Sequence, residues 1–241
     1  MSPLDIQRLG VITYEEGVSL QAQLAADRRA GIAPDTLLLL QHQHVITLGV
    51  KARNSRAHII ASDRELAARG VAVYDAGRGG DVTYHGPGQL VGYPVIDLKP
   101  DRQDVHRYVR DLEEVLIRTA ADFGVRAGRL AGLTGVWVAQ RKLAAIGVRI
   151  SRWVTSHGFA LNVSTNLDYF DLIVPCGIAD HGVTSLELLA GPLPMAEIED
   201  SCVRHFCDVF DRFEVRTSSL EPRPSPLPSP LGINKAPPVF S

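Results

Sequence analysis

Residues 78–90 constrain this chain more than any other segment, because glycines and a proline stand there together with Arg, Asp, Tyr and His side chains. Glycine allows positive φ angles and lets a ligand approach the backbone closely. Strand-like segments precede and follow the stretch, at residues 71–74 and 90–98. We therefore expect a loop and strand edge, held by a sheet, that lines a ligand site. The alternative is a glycine-rich hairpin whose polar side chains bind no ligand, since turns use the same residue types.

Composition and charge narrow the class of protein. The chain has 241 residues, 45% hydrophobic and 22% charged, which suits one large globular domain or two small ones. We predict a single domain over residues 1–220 and an extended or disordered proline-rich tail at 221–241. The net charge of −2 gives no reason to expect nucleic acid or a membrane as a partner. Because the sequence shows neither a basic, apolar leader nor an apolar run of roughly 20 residues, we expect a cytoplasmic protein.

Capping boxes and apolar periodicity predict the secondary structure. A Ser or Thr followed three residues later by Glu marks two helix starts, at residues 13–16 and 62–65, with glycine stops at Gly31 and Gly70. Amphipathic helices are predicted at residues 104–123 and 194–213. Short apolar runs predict strands at residues 6–12, 36–40, 45–48, 135–138, 143–150 and 154–163. Short turns between strands favour an α/β or α+β fold, a mixed β-sheet with flanking helices, over a doubly wound parallel sheet.

Cys176 is a candidate nucleophile. It stands between Pro175 and Gly177, so a rigid turn displays the thiol and no periodic apolar face covers it. A buried core cysteine is the alternative. The other two cysteines, Cys202 and Cys207, fall on the last predicted helix as small core residues, and the spacing of the three suggests neither a disulfide framework nor a metal knuckle.

Lys142 is a candidate partner for that thiol. It begins an apolar strand that carries no other charge until Arg149, an unusual place for a lysine unless the charge has a use. An ammonium group stabilises a thiolate, and a desolvated lysine accepts its proton. A lysine that extends its charge to solvent is the alternative. His42 and His44 alternate to one face and could bind a metal, but without a third ligand at a recognisable spacing a polar connection is favoured.

Four segments carry a resemblance to a known family. Residues 78–94, 142–148, 157–162 and 175–178 resemble the signature blocks of the lipoyl(octanoyl) transferases, in the same order along the chain. The likeness covers residues 6–213 and leaves out the tail, and four motifs together are far more specific than one glycine-rich loop.

The resemblance implies a fold, a reaction and a set of site residues. The fold would be like that of the catalytic domain of biotin and lipoate protein ligases. Cys176 would accept the acyl group and Lys142 would lower the pKa of its thiol. Substrate-binding positions would be Arg78, Gly79, Gly80, Asp81, Val82, Thr83, Tyr84, His85, Ala145, Ile146, Gly147, Gly158, Phe159 and Ala160.

The implied reaction moves an octanoyl or lipoyl group from acyl carrier protein to a lysine of a lipoyl domain, through an acyl-enzyme. The acceptors would be lipoyl domains of 2-oxoacid dehydrogenase complexes and the glycine cleavage H protein. Exchange between thioesters is nearly balanced and conversion to an amide is downhill, so we expect no cofactor, nucleotide or metal. An ATP-dependent lipoate or biotin ligase and a non-catalytic acyl-binding module are the rival classes, and Cys176 argues against both.

Overall fold

A computed structural model describes residues 1–52, 56–100, 102–174 and 181–215. It contains two β-sheets and five α-helices within these residues. The strands are β1 (Ser2–Ile12), β2 (Asp35–His42), β3 (Val45–Leu48), β4 (Ala72–Asp75), β5 (Val82–His85), β6 (Gln89–Val95), β7 (Gly128–Leu130), β8 (Leu133–Val138), β9 (Arg141–Ser151), β10 (Val154–Asn162) and β11 (Arg212–Val215). The helices are α1 (Tyr14–Arg29), α2 (Asp63–Ala68), α3 (Val105–Asp122), α4 (Leu186–Ala190) and α5 (Met195–Phe210), and a 3-10 helix covers Leu167–Leu172.

The larger sheet is mixed, as the sequence predicts. Its strand order is β11-β1-β2-β6-β10-β9-β8-β7. The pairs of β1 with β11 and with β2 are parallel, and the remaining pairs are antiparallel. Helices flank both faces. In β2, Leu37 and Leu39 pack in the core that includes α3 and α5, whereas Leu38 and Leu40 pack towards α1, because successive side chains of a strand point to opposite faces.

The smaller sheet, in the order β4-β3-β5, is formed by the segments around the glycine-rich stretch. The prediction of a loop and strand edge for residues 78–90 is therefore incomplete. Val82–His85 form β5, which pairs antiparallel with β3, and the chain then crosses to β6 of the larger sheet. The pairing partner of β5 is distant in sequence, so local composition could not reveal this strand.

The predicted helix starts are confirmed by their caps. Thr13 and Ser62 each accept a hydrogen bond from the backbone N–H three residues later, and the glutamate there reaches back to complete a capping box. Asp104 caps α3 in the same way, by accepting from the N–H of Arg107. The amphipathic pattern of residues 104–123 predicts Val105 on the apolar face of α3, and this prediction is wrong. Val105 is the first helical residue and is 44% exposed.

The predicted end of the last helix at Phe213 is also wrong. The helix α5 ends at Phe210, and Asp211 adopts the left-handed conformation with φ of 54°. Arg212–Val215 form β11, because they pair in parallel with the start of β1. Cys202 is fully buried on α5, as predicted, and its burial raises the pKa of the thiol to about 12. The proline-rich residues 221–241 lie outside the described residues.

No helix among the described residues is both long and apolar enough to cross a bilayer.

Candidate active site

A cleft lies where the two sheets meet near the start of α1. It holds about 490 Å³ of space, including its open mouth. Its lining combines residues from three of the four family-like segments with Tyr14 from α1. The lining residues are Tyr14, Arg78, Gly80, Asp81, Thr83, His85, Tyr93, Ala145, Ile146, Gly147, His157, Gly158, Phe159 and Ala160.

Most of the substrate-binding positions implied by the resemblance line this cleft. Three do not: Gly79, Val82 and Tyr84. Gly79 donates its N–H to the carbonyl of Val148 and so ties the glycine-rich stretch to β9. Val82 and Tyr84 are buried in the core of the smaller sheet. Their side chains support the cleft wall from behind.

The substrate-binding positions implied by the resemblance leave out three residues of the lining, Tyr14, Tyr93 and His157. Tyr14 was noted only as part of a capping box, and its position in the cleft depends on how α1 packs against the sheet. The signal for the other two was their place in the family-like segments 78–94 and 157–162. His157 has a positive φ of 55°, and its N–H donates to the side-chain oxygen of Gln21 on α1 at 2.6 Å.

Glycines keep the cleft wall thin. Gly147 of β9 pairs with Gly158 of β10. A Cβ atom on Gly147 would lie 2.9 Å from Cδ of Arg78 and 3.0 Å from the carbonyl oxygen of Gly79, closer than these atoms pack without a shift. Only glycine lets the glycine-rich stretch and β9 approach this closely.

Arg78 holds the glycine-rich stretch against β3. Its Nη2 donates to the carbonyl oxygen of Thr47 at 2.9 Å and to Oγ1 of Thr47 at 2.7 Å, and Nη1 donates to the carbonyl of Gly79 at 3.0 Å. The side chain is buried. A buried guanidinium therefore brings a positive charge to the cleft while it braces the backbone around it.

Asp81 anchors the next turn of the stretch. One of its carboxylate oxygens accepts the N–H of Val82 at 2.7 Å. His58 contacts the same carboxylate at 2.9–3.0 Å. These two contacts set the start of β5 and so the position of His85 at its end.

A chain of amides fixes the protonation of His85. The carbonyl of Thr184 can only accept, so Asn162 turns its Nδ2 to it at 2.9 Å and offers Oδ1 to Nε2 of Gln89, also at 2.9 Å. Gln89 therefore presents Oε1 to Nδ1 of His85 at 2.8 Å, and Nδ1 carries the proton. Nε2 of His85 is then a hydrogen-bond acceptor in a side chain that lines the cleft.

Burial keeps the histidines around the cleft neutral. Burial above all, together with nearby His42 and Arg78, lowers the pKa of His85 to about 3. Burial likewise lowers the pKa values of His42 and His157 to about 4. Both His42 and His44 are hydrogen-bonded to polar groups of the protein. His42 donates from Nδ1 to the carbonyl of Ile12 and accepts at Nε2 from the hydroxyl of Tyr93, and His44 is hydrogen-bonded to the hydroxyl of Tyr84.

A β-bulge in β9 precedes the cleft-lining residues. Val136 of β8 pairs with Ala144, but the next residue, Trp137, pairs with Lys142. Leu143 is therefore an extra residue. Leu143 and Ala144 both pack in the core that includes α3 and α5, as expected for the two residues of a bulge that face the same way.

The bulge determines where Lys142 points. In a regular strand Lys142 and Ala145 would lie on opposite faces, because they are three residues apart. With the extra residue, Lys142 shares a face with Ala145 and Gly147, which line the cleft. Its Nζ lies 4.8 Å from the centre of the Trp137 ring, a favourable cation–π contact.

Cys176 lies outside the described residues, so the structure does not place it relative to Lys142. The next described residue is His181, whose ring packs edge-on against Trp137 at 5.5 Å. Gly182 accepts the N–H of Lys142 at 2.9 Å, and Thr184 donates its N–H to the carbonyl of Lys142 at 3.0 Å. The segment that follows Cys176 in sequence is thus paired with Lys142.

Comparisons with known proteins agree with the resemblance. A family model described as the lipoyl protein ligase A/B catalytic domain matches residues 13–207. An octanoyltransferase of Solibacter usitatus is 53% identical over 207 residues, which cover 86% of this chain and 92% of that protein. An octanoyltransferase of Myxococcus xanthus is 51% identical over 218 residues, 88% of this chain, and the chain spans only 60% of that longer protein.

Solved structures confirm the expected fold. Lipoate-protein ligase A bound with ATP matches with a TM-score of 0.68 at 15% identity, over 89% of this chain and 87% of the other. A bi-partite lipoate protein ligase from Thermoplasma acidophilum matches with a TM-score of 0.66 at 16% identity, over 90% and 86%. At these identities the likeness concerns the fold alone, whereas identity above one half over most of the chain concerns the family. The chain belongs to the lipoyl protein ligase A/B catalytic domain family and, within it, to the octanoyltransferases.

Proposed function

We propose that this chain transfers an octanoyl or lipoyl group from acyl carrier protein to a specific lysine of lipoyl domains, through a thioester on Cys176. The observation that carries the proposal is the meeting of three separate family-like segments in one glycine-walled cleft, with Lys142 turned to the same face. The relatives named octanoyltransferase support the choice of acyl group.

In the first half-reaction the Cys176 thiolate attacks the carbonyl carbon of the donor thioester. The tetrahedral intermediate collapses, the carbon–sulfur bond to the carrier breaks, and the carrier thiol takes up the proton that Cys176 gave to Lys142. As an ammonium group, Lys142 thus lowers the pKa of the Cys176 thiol. It accepts the proton from Cys176 and later donates it to the carrier thiol.

In the second half-reaction the amine of the acceptor lysine attacks the acyl-Cys176 carbonyl. The new carbon–nitrogen bond forms, the Cys176 thiolate leaves, and the amine loses one proton. Lys142, neutral once it has given its proton to the carrier thiol, is the group suited to accept it. Nε2 of His85 can orient the amine by accepting a hydrogen bond, since the Nδ1 proton is held by Gln89, but a pKa of about 3 makes it a weak base. General-base help of this kind contributes about 10²–10⁴-fold.

The cleft suits an acyl chain because its wall at Ala145–Gly147 and Gly158–Ala160 carries mainly small or apolar side chains. We propose octanoyl-acyl carrier protein as the donor, and lipoyl domains of 2-oxoacid dehydrogenase complexes and the glycine cleavage H protein as acceptors. We further propose that the reaction runs in the cytoplasm and that residues 1–220 form the single catalytic domain.

An ATP-dependent ligase remains the alternative that the fold itself suggests, because lipoate-protein ligase A shares the architecture. Such an enzyme would activate its acid as an adenylate and would not need a thiol at position 176. A non-catalytic acyl-binding module would keep the cleft without forming a covalent intermediate.

The test is the intact mass of the protein after incubation with octanoyl-acyl carrier protein, with and without ATP. We expect the mass to rise by one octanoyl group without ATP, and the Cys176→Ala variant to show no gain and no transfer while it stays folded. An ATP requirement would favour the ligase, and absence of any adduct would favour the binding module. Near-normal transfer by Cys176→Ala would eliminate the covalent mechanism.

A further inference from the structure

A carboxylate stands fully buried behind the site, on the face of α3 that packs against the larger sheet. Glu113 has no exposed surface. Its Oε2 accepts from Nη1 of Arg110 at 2.6 Å and from Nε of Arg129 at 2.9 Å. Its Oε1 accepts the backbone N–H of Gly135 at 3.0 Å. A buried charge is costly unless every contact is used, and both oxygens of Glu113 are engaged.

The contact with Gly135 falls beside the bulge that orients Lys142. Gly135 has a φ of 120°, a left-handed value that favours glycine. A Cβ atom there would lie 2.6 Å from the carbonyl oxygen of Ala144 and 3.7 Å from Cε of Lys142. The register pairs of β8 do not include Gly135: the ladder with β7 is irregular between Leu133 and Trp137, and the ladder with β9 begins at Val136. The N–H of Gly135 is accepted from outside the sheet, by Glu113.

We propose that Glu113 is a positioning residue for Lys142: it holds the bulged register of β8 and β9 through Gly135 and so keeps the lysine on the cleft face. This inference rests on the proposed function, in which Lys142 acts on Cys176. Neither Glu113 nor Gly135 lines the cleft, so their effect on catalysis passes through the strand register.

The alternative register shows what Glu113 prevents. If the bulge were lost, Trp137 would pair with Leu143, and Lys142 would be carried to the face that Leu143 now occupies in the core. A one-residue shift therefore moves Lys142 off the strand face that carries Ala145 and Gly147 and away from the Trp137 ring. A single hydrogen bond, from the N–H of Gly135 to Glu113, thus connects α3 to the register of β8 and β9.

The experiment compares Glu113→Leu with Arg129→Leu. Both variants break the Glu113–Arg129 ion pair, but only Glu113→Leu removes the acceptor of the Gly135 N–H. Three quantities are measured for each: melting temperature, octanoyl transfer, and the pH dependence of iodoacetamide labelling at Cys176 followed by peptide mass. Lys142→Met provides the reference for a site without the ammonium group.

We expect both leucine variants to melt at lower temperature than the unmodified chain. Only Glu113→Leu should behave like Lys142→Met, with labelling at pH 7 slowed about ten-fold, the effect of a rise of one unit in the thiol pKa. Arg129→Leu should keep the unmodified labelling profile. Gly135→Ala disturbs the same bulge without touching the buried ion pairs, and it should slow labelling if Glu113→Leu does not fold.

Two results are contrary to the proposal and differ in meaning. If Lys142→Met slows labelling but Glu113→Leu and Gly135→Ala leave the profile unchanged, the positioning role is wrong and the Lys142–Cys176 pair stands. If Lys142→Met itself leaves labelling unchanged, the proposed pair is wrong, and the positioning role falls with it.

Discussion

Two tyrosines line the cleft but differ in what their hydroxyl groups bond. The hydroxyl of Tyr93 donates to Nε2 of His42 at 2.7 Å. The hydroxyl of Tyr14 is buried without a hydrogen-bond partner among the described residues. A buried polar atom without a partner costs about 1–3 kcal/mol, whereas a satisfied one stabilises the fold. The same substitution should therefore have opposite effects at the two positions.

Tyr14→Phe should leave the free energy of unfolding unchanged or raise it, and it should keep octanoyl transfer, because an apolar acyl chain has no use for the hydroxyl. Tyr93→Phe should lower the free energy of unfolding by about 1–3 kcal/mol, because Nε2 of His42 loses its donor. Urea unfolding of the two variants provides the measurement. A fall of similar size in Tyr14→Phe would mean that its hydroxyl is bonded in solution.

The sequence predicted individual residues of the cleft only where those residues belong to the family-like segments. Eleven lining residues came from those predictions, since a motif keeps its residue types together in the chain. Tyr14 could not be predicted, because α1 brings it to the cleft through packing on β6 and β10. The orientation of Lys142 could not be predicted either. It depends on a bulge in the pairing of β8 with β9, and the sequence of β9 by itself does not show that bulge.

At the scale of elements, local signals were reliable and pairings were not. Capping boxes identified the starts of α1 and α2 because both partners lie within four residues. The start of β11 was predicted as the end of α5, because β11 is a strand only through its pairing with β1, which lies about two hundred residues away in the chain. The small sheet was missed for the same reason.

The strand β11 also carries a charge contact that makes truncation informative. Arg212 donates to Oδ2 of the buried Asp35 at 3.0 Å, and Arg28 donates to Oδ1 at 2.7 Å. A chain that ends at residue 220 keeps this contact, and one that ends at residue 211 loses both the edge strand and one of the two arginines.

We expect the chain ending at residue 220 to melt and to transfer octanoyl like the full-length chain, because a proline-rich sequence generally buries little apolar area. The chain ending at residue 211 should melt about 4–8 °C lower, the result of losing about 2 kcal/mol in a domain of this size. Differential scanning calorimetry compares the three chains. If the chain ending at residue 220 melts much lower than the full-length one, the tail packs on the domain.

For the molecule as a whole, the buried histidines make stability depend on pH. His42, His85 and His157 have pKa values lowered to about 4, 3 and 4. In the unfolded chain each returns to about 6.5. Between these values the unfolded chain binds protons that the folded chain does not, so stability is full above about pH 6.5 and falls as the pH drops.

The size of the effect follows from the number of protons. Near pH 5.5, three histidines take up a proton on unfolding, which gives a slope of about 4 kcal/mol per pH unit. Asp122 has a pKa lowered to about 2, mainly by a hydrogen bond from Ser201, so its own loss comes only below about pH 4. Burial raises the pKa values of Asp111 and Glu199, and these groups oppose the slope in the lowest part of the range.

We therefore expect the free energy of unfolding, measured with urea from pH 7.5 to pH 5, to be flat above about pH 7 and to fall steeply between pH 6 and pH 5. His157→Asn gives the matched control, because asparagine tolerates the positive φ of 55° and cannot titrate. Its slope should be smaller by about one third, since one of the three protons is gone. A slope that stays below about 1 kcal/mol per pH unit in the unmodified chain would mean that these histidines are accessible to protons in the folded state. Nε2 of His85 would then be protonated at the lower end of this pH range, and it could not accept a hydrogen bond from the attacking amine.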